Sequence, residues 1–400
     1  MKNLCIVGVG TAGIQSLSHF LSFLGKDWNV FSIRDPEISP IGIGESTNPN
    51  FVLGIERGMD FNIIEDLEAI NGTLKFGTKY SNWRCLDFVN PFIGGNVAVH
   101  FDSSKFSEFS LPRLSSRWGD RFKEIVGSVT SIENVENNVR VVVNGNKYIF
   151  DYVIDCTGFP KSYKDYYLVP DAPVNRCLVH NVWIGESAFE SLYSGHIATE
   201  DGWMFRVPLS NRTSYGYLFN DKVTSIQEAK NNFSKILKIS ESKIDKTEYS
   251  FSSYYTKKII DGRIIRNGNR AAFFEPLFGN SLWIYEEVNR ISYDYMIKNH
   301  SEKHCNDSFL SSMAELEAII AFHYAGGSNF NSTFWEKNKK IMKEKLNYSK
   351  KFKEITIKMR ENYKNNVYSD NLRLVFSEQP LYILDRNFRY DFFTKEEIGT

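Results

Sequence analysis

The stretch Leu4-Cys5-Ile6-Val7-Gly8-Val9-Gly10-Thr11-Ala12-Gly13-Ile14 decides how the opening of this chain folds. Leu4 to Val7 are apolar and partly β-branched, as in a parallel strand buried on both faces. After them Ile14, Leu17, Phe20, Leu21 and Leu24 fall at helical spacing and predict an amphipathic helix. Glycines in a G-x-G-x-x-G pattern between a strand and a helix make a turn suited to a dinucleotide. Gly8 allows the tight turn, Gly10 lets the backbone approach a pyrophosphate, and Gly13 lets helix and strand pack closely. Thr11 and Ala12 open the helix, whose first N–H groups can bind an anion. Trp28 to Ile33 predicts the second parallel strand. Asp35, behind Arg34, stands where this kind of fold puts an acid against the ribose.

The rest of the composition narrows the function classes. Four hundred residues suffice for one large or two ordinary domains, and 42% hydrophobic with 24% charged residues is a globular balance. Basic and acidic residues number 48 each, so no global field recruits nucleic acid or an anionic membrane. Five scattered cysteines, an odd number, imply a reducing compartment without a disulfide framework. The chain opens on a strand, leaving no room for a signal peptide, and no apolar run reaches spanning length. A cytoplasmic protein is expected.

Further along, residues 39–49 form a loop dense in Gly, Ser, Pro and Asn, a ligand cradle or a tight turn. Asn62 to Ile70 reads as helix and Thr73 to Trp83 as strand, while Asp87 to Arg121 shows no clean period. Val139 to Val143 and Tyr148 to Ile154 predict a hairpin turning at Asn144-Gly145, which ends on Asp155-Cys156-Thr157-Gly158. Residues 181–184, 202–209 and 214–219 predict an antiparallel sheet. Thr224 to Ile239 predicts a helix capped by Thr224 or Ser225. A turn at 273–281 leads into a helix from Leu282 to about Ile297, and the chain from Asp307 is mostly helical. His300 and His304 sit at i, i+4 beside Cys305. Their polar surroundings and the lack of a third ligand at a motif spacing read as a solvated helix end, not a metal site.

Several of these segments, in order, resemble the flavin-dependent halogenases of the tryptophan-halogenase family. They are Gly8 to Gly13; Ile41-Gly42-Ile43-Gly44-Glu45-Ser46-Thr47-Asn48-Pro49, similar to that family's flavin strap; and Asn71-Gly72-Thr73-Leu74-Lys75, running on to Trp83, similar to the segment with its catalytic lysine. Ile154 to Gly158 resembles a second flavin-contacting turn. Gly202-Trp203-Met204-Phe205-Arg206-Val207-Pro208 resembles the W-x-W-x-I-P signature. Glu275-Pro276-Leu277, His323-Tyr324 and Phe334-Trp335 also match.

The resemblance implies an α/β fold: a Rossmann-like FAD-binding module of the GR2 flavin-monooxygenase type, with an inserted antiparallel sheet and a helical C-terminal portion. On this reading residues 1–165 and 255–300 bind FAD, 166–254 form the substrate-side sheet, and 301–400 are helical. It further implies an enzyme that uses FADH2, O2 and halide to make hypohalous acid. That acid passes through an internal tunnel to Lys75, which directs it onto a small electron-rich aromatic of indole or phenol type. A separate NAD(P)H flavin reductase would be the partner; oligomeric state is left open. FAD would be held by Gly8, Gly10, Thr11, Ala12, Gly13, Asp35, Gly44, Glu45, Ser46, Thr47, Asp155 and Gly158. Halide would be held by the backbone of Gly279, Asn280 and Ser281. Trp203, Phe205, Pro208 and Phe278 would line the tunnel or the substrate side.

Two departures matter. Phe278 stands where the family carries a carboxylate that assists the lysine, so another acid substitutes, or Lys75 works unaided, or halogenation is lost. The last option leaves a flavin monooxygenase or a non-catalytic flavin-binding protein as rivals. Phe205 replaces the second tryptophan of the signature but keeps most of its bulk.

Overall fold

The structure is a computed structural model and describes residues 1–39, 45–84, 87–92, 95–183, 192–348 and 353. The chain divides into two compact units. One comprises Met1–Leu74, Val97–Val169 and Ser252–Ser311; the other comprises Lys75–Asn96, Pro170–Phe251 and the chain from Ser312.

The first unit is built on a six-stranded sheet whose order in space is Ile260–Asp261, Ile264–Arg266, Tyr152–Asp155, Lys2–Val7, Trp28–Arg34, Phe122–Val126. Five of these strands run parallel, and the Ile260–Asp261 edge is antiparallel. Leu4 to Val7 are at most 2% exposed, as a strand covered on both faces requires. One face carries the helix Thr11–Phe23, with Ile14, Leu17, Phe20 and Leu21 buried. The other is covered by Val139, Val141, Val143 and Phe150, which pack on Cys5, Val7, Ile33 and Val153. This is the expected α/β fold with a parallel sheet at its centre. The 139–154 hairpin is corrected in one respect. Its strands are Asn138–Val143 and Asn146–Phe150, and Tyr152–Asp155 is a separate strand that joins the parallel sheet.

Three local readings change as well. Residues 62–67 are turns followed by a single 3-10 turn, Glu68–Ile70, held by Asn62, whose carboxamide oxygen accepts from Ile64 N. Local side-chain bonds of this kind compete with the helix ladder. The strand expected over 73–83 is two, Thr73–Lys75 and Gly77–Ser81, broken at Gly77, whose φ of 153° suits glycine. Within 87–121 lies a helix, Ser103–Trp118, capped by Asp102 and hidden from sequence reading by Pro112 and a polar composition.

The second unit holds a seven-stranded sheet ordered Glu248–Ser250, Arg176–Trp183, Arg212–Phe219, Gly202–Pro208, Ser194–Thr199, Gly77–Ser81, Phe88–Pro91. The helix Ile226–Leu237, with a capping box between Ser225 and Glu228, covers one face. Its Ala229 and Phe233 pack against Leu178, Met204, Tyr217 and Phe219. On the opposite face lie Tyr80, His196, Trp203 and Phe205. This follows from the strict two-residue alternation and from the pairings Tyr80–His196 and His196–Phe205. Two C-terminal helices, Glu302–Gly326 and Thr333–Tyr348, supply His323, Tyr324 and Trp335 as aromatic neighbours for Tyr80 and Trp83, with Phe334 against Tyr324. His300 precedes the first of these helices, so the two histidines do not share a helix face, although their rings lie 5.1 Å apart. No helix among the described residues is long and apolar enough to cross a membrane.

Candidate active site

In the first unit the glycine turn is built as its sequence requires. Gly8 has a φ of 92°, and a Cβ there would lie 2.6 Å from the Cys156 carbonyl oxygen. A Cβ on Gly13 would lie 1.9 Å from the Gly8 carbonyl oxygen, so strand and helix touch through bare backbone. Gly10 is the opposite case: nothing lies within 4 Å of where its Cβ would be. An open approach at Gly10, flanked by two closed ones, is the shape a pyrophosphate needs. The helix begins on Gly10 with no side-chain cap, leaving its first N–H groups for an anion. Gly8 N bonds to Ile33 O and Cys156 N to Val7 O, both at 2.8 Å, which pins the turn between two neighbouring strand ends.

Around this turn the expected flavin residues take distinct parts. The Thr11 hydroxyl donates to Glu45 Oε1 at 3.3 Å, placing the strap's carboxyl at the start of the helix. Burial pushes that carboxyl up from 4.5 to about 7, against the pull of the Thr11 bond. Thr47 Oγ1 donates to Val99 O at 2.7 Å and accepts from Val99 N at 2.9 Å, so its hydroxyl clamps the strap to the strand Ala98–Phe101. Ser46 pairs with His100 in the same small sheet. Gly44 lies outside the described residues. Asp155, opposite Val7, accepts from Thr157 N and Oγ1 and from Arg270 Nε at 3.1 Å; its carboxylate organises the turn that leads to Gly158. Gly158 has a φ of 88° and open space beside it. Asp35 follows the second strand and accepts from Glu37 N at 3.0 Å, a local turn bond.

The expected halide segment begins the helix Asn280–Met296. Phe278 and Gly279 precede it with φ values of 65° and 66°, and a Cβ on Gly279 would come within 3.5 Å of Ser46 O. A phenylalanine in the left-handed region is costly and is held here by its surroundings. The Asn280 carboxamide donates to Glu275 O at 2.7 Å and Leu277 O at 2.9 Å, so this side chain staples the turn, while its backbone opens the helix. Ser281 follows in the first turn. Glu275 is 2% exposed.

In the second unit Lys75 closes its short strand and is only 5% exposed, whereas Lys79, four residues on, faces solvent. Desolvation lowers the Lys75 amine from 10.5 to about 7. Its Nζ sits 5.1 Å from the Phe92 ring centroid, a cation–π contact in a poorly hydrated place. Phe76 N bonds to Leu192 O and Phe92 N to Phe76 O, both at 2.8 Å, which fixes the backbone beside the lysine. Trp203, at 0% exposure, and Phe205, at 8%, lie on one face of the strand ending at Pro208. The Phe205 ring covers Gly216 so closely that a Cβ there would lie 2.0 Å from it.

Sequence reading missed the group that surrounds these residues. His196, at 5% exposure, contacts the rings of Tyr80 and Trp203, each with centroids 5.1 Å away. Burial lowers its imidazole well below 6.5, and the charges of His323 and Lys75 add to this. His196 had no signal of its own: a lone histidine on a strand declares nothing until the sheet brings 80, 196, 203 and 323 together.

The comparisons agree with this architecture. The family model for tryptophan halogenase matches residues 3–95 and 87–373. A tryptophan 6-halogenase of Streptomyces albogriseolus is 20% identical over 425 aligned positions, covering 85% of this chain and 79% of that one. A tryptophan 7-halogenase of Lentzea aerocolonigenes is also 20% identical, covering 86% and 81%. Among solved structures, a tryptophan halogenase from Shewanella frigidimarina superposes with a TM-score of 0.81 at 15% identity, covering 99% of this chain and 91% of that one. A flavin-dependent halogenase from Xanthomonas campestris superposes with a TM-score of 0.78 at 16% identity, covering 97% and 88%. With that family model spanning nearly all of its described length, this chain belongs to the tryptophan halogenase family of flavin-dependent halogenases.

Proposed function

We propose that this protein halogenates a small electron-rich aromatic compound of the indole or phenol type, with Lys75 as the working amine. The observation that carries the reading is a lysine 5% exposed whose amine is lowered to about 7. Near neutral pH such an amine is divided between two forms, and each has a use. The neutral form can take an electrophilic halogen onto nitrogen as water leaves. The charged form can donate to the oxygen of hypohalous acid and hold it against a ring.

The first unit fits FAD on its own geometry: the open approach at Gly10, the uncapped helix start, and the left-handed glycines at 8 and 158. Gly8, Gly10, Thr11, Ala12 and Gly13 would hold the pyrophosphate, with Glu45, Ser46 and Thr47 in the strap and Asp155 and Gly158 in the facing turn. When bound and reduced by a separate NAD(P)H reductase, FAD supplies with oxygen and halide the oxidised halogen. The backbone of Gly279, Asn280 and Ser281 would hold the halide, since consecutive left-handed residues before a helix turn their N–H groups toward an anion. The bulk of Trp203 and Phe205 would keep the substrate away from the flavin, and Pro208 and Phe278 would line the tunnel or the substrate side.

Phe278 favours a second reading, oxygen transfer or loss of catalysis, because a phenyl ring cannot take a proton. The test is a mass-spectrometric screen of indoles and phenols with the protein, a flavin reductase, NADH, oxygen and each of chloride, bromide and iodide. Halogenated product is expected. Oxygenated product, or reduced flavin consumed with unmodified aromatics, would overturn the proposal.

A further inference from the structure

The residues read above as holding FAD include the acids Asp35, Glu45 and Asp155 and no base. A doubly anionic pyrophosphate brought beside Glu45 and Asp155 calls for a cation, because uncompensated like charges away from water are costly. Arg270 is a cation tied to this set. Its Nε donates to Asp155 Oδ2 at 3.1 Å, while Asp155 Oδ1 accepts from Thr157 N and Oγ1, so the carboxylate is itself held in place. Nη1 and Nη2 of Arg270 make no hydrogen bond to any described residue, and the side chain is 30% exposed.

The turn that carries this arginine, Gly268–Arg270, is pinned from several sides. Just before it, the buried Asn267 carboxamide donates to Ser16 Oγ of the glycine-turn helix at 3.1 Å. Asn267 N donates to Asp155 O at 2.9 Å. Gly268, with a φ of 64°, lies so close to the start of that helix that a Cβ would come 2.9 Å from Ala12 Cβ. The Asn269 carbonyl accepts from the Tyr254 hydroxyl at 2.7 Å, and the Arg270 carbonyl from the Tyr166 hydroxyl at 2.9 Å. These clamps fix the backbone from which the guanidinium emerges, next to the helix end whose N–H groups are uncapped.

We propose that Arg270 is a further cofactor-binding residue, whose Nη1 and Nη2 hold the FAD pyrophosphate while Asp155 on Nε sets the plane of the guanidinium. This rests on the reading of the glycine turn as an FAD site and extends it. A guanidinium offers parallel N–H groups that match two phosphate oxygens, and an acid engaged at Nε leaves that far edge free. Asp155 then serves the cofactor through the arginine. Were Arg270 there only to neutralise Asp155, its loss would disturb the turn without regard to the charge of the ligand.

The test titrates the whole chain with FAD, followed by flavin fluorescence, and with ADP, followed by calorimetry, each at low and high salt. Arg270→Gln keeps a donor for Asp155 and removes the charge. It should weaken both ligands roughly 10- to 100-fold at low salt, the range for hydrogen bonds to a charged group. Its affinities should also fall less steeply with salt than those of the wild type. Arg270→Lys, which keeps the charge without the fork, should lie between the two. The ³¹P resonances of bound FAD should move in both variants, a readout that an arginine remote from phosphate would leave alone. Affinities of Arg270→Gln within about three-fold of wild type overturn the inference. So does a loss that is equal at both salt levels with ³¹P resonances unmoved. If Arg270→Gln fails to fold, Arg270→Lys and its ³¹P spectrum decide. A wild type that binds neither FAD nor ADP would instead overturn the reading of the glycine turn itself.

Discussion

The glycine turn at residues 8–13 and the aromatic layer around Lys75 are made on opposite principles. The turn is local: six neighbouring residues, a strand before and a helix after, and contacts so short that no side chain fits at Gly8 or Gly13. The layer is assembled from separate pieces of chain, with Lys75 and Tyr80 from two successive strands, His196 and Trp203 from the central strands, and His323 from a C-terminal helix. In the first region backbone geometry dictates residue type. In the second, burial turns ordinary residues into unusual ones, as the contrast of Lys75 with Lys79 shows.

The comparison is broken most violently at Gly13. A Cβ 1.9 Å from the Gly8 carbonyl oxygen meets backbone and cannot be relieved by a rotamer. Gly13→Val should weaken FAD binding more than about 100-fold and destabilise the fold by at least about 3 kcal/mol. Flavin-fluorescence titration and thermal unfolding measure the two effects, and unchanged values for both would refute the local account.

Lys75 tests the other principle through pH. Its folded pKa lies near 7 and its unfolded value near 10.5, so between these the unfolded chain binds the extra proton. Stability from this group therefore rises with pH across that window, and below pH 7 the cost of burying the charge is constant. Lys75→Met should be the more stable protein by about 4 kcal/mol at pH 7, the advantage shrinking as pH approaches 10. A pH-independent difference in melting temperature would show that the amine is not desolvated.

A smaller effect separates staple from ligand at the start of the helix Asn280–Met296. Asn280→Ala removes two hydrogen bonds to the turn carbonyls of Glu275 and Leu277 and should cost about 2 kcal/mol in urea unfolding, since those carbonyls are buried and left short. The smallest change is expected at Lys79. Lys79→Ala should alter stability by less than about 0.5 kcal/mol and leave turnover untouched, because that amine is in water.

These regions also show what a sequence displays and what it conceals. The parallel strand, the glycine turn and a helix start at Thr224 or Ser225 are encoded by neighbours and legible; the structure chooses Ser225 and adds its box with Glu228. The break at Phe76-Gly77, the helix containing Pro112, and the departure of Tyr152–Asp155 into the parallel sheet depend on what packs around them. Lys75 drew notice through its Asn-Gly-x-x-Lys setting, not through any property of a lysine in a strand. His196 was invisible because its meaning lies in Tyr80, Trp203 and Lys75, more than a hundred positions away in two of the three cases. Thr47 and Asp155 were read as cofactor contacts. In the fold their polar groups also tie down the strap and the facing turn, roles that share the same chemistry and cannot be told apart by residue type.

The central claim is that the buried amine at position 75 delivers the halogen. The most direct measurement is a single turnover of the FAD-loaded protein with bromide, oxygen and an indole, wild type against Lys75→Ala, with product read by mass spectrometry and flavin content by absorbance. The account predicts a brominated indole from the wild type and none from the variant at equal flavin occupancy. A variant that brominates the same ring position at the wild-type yield would contradict it.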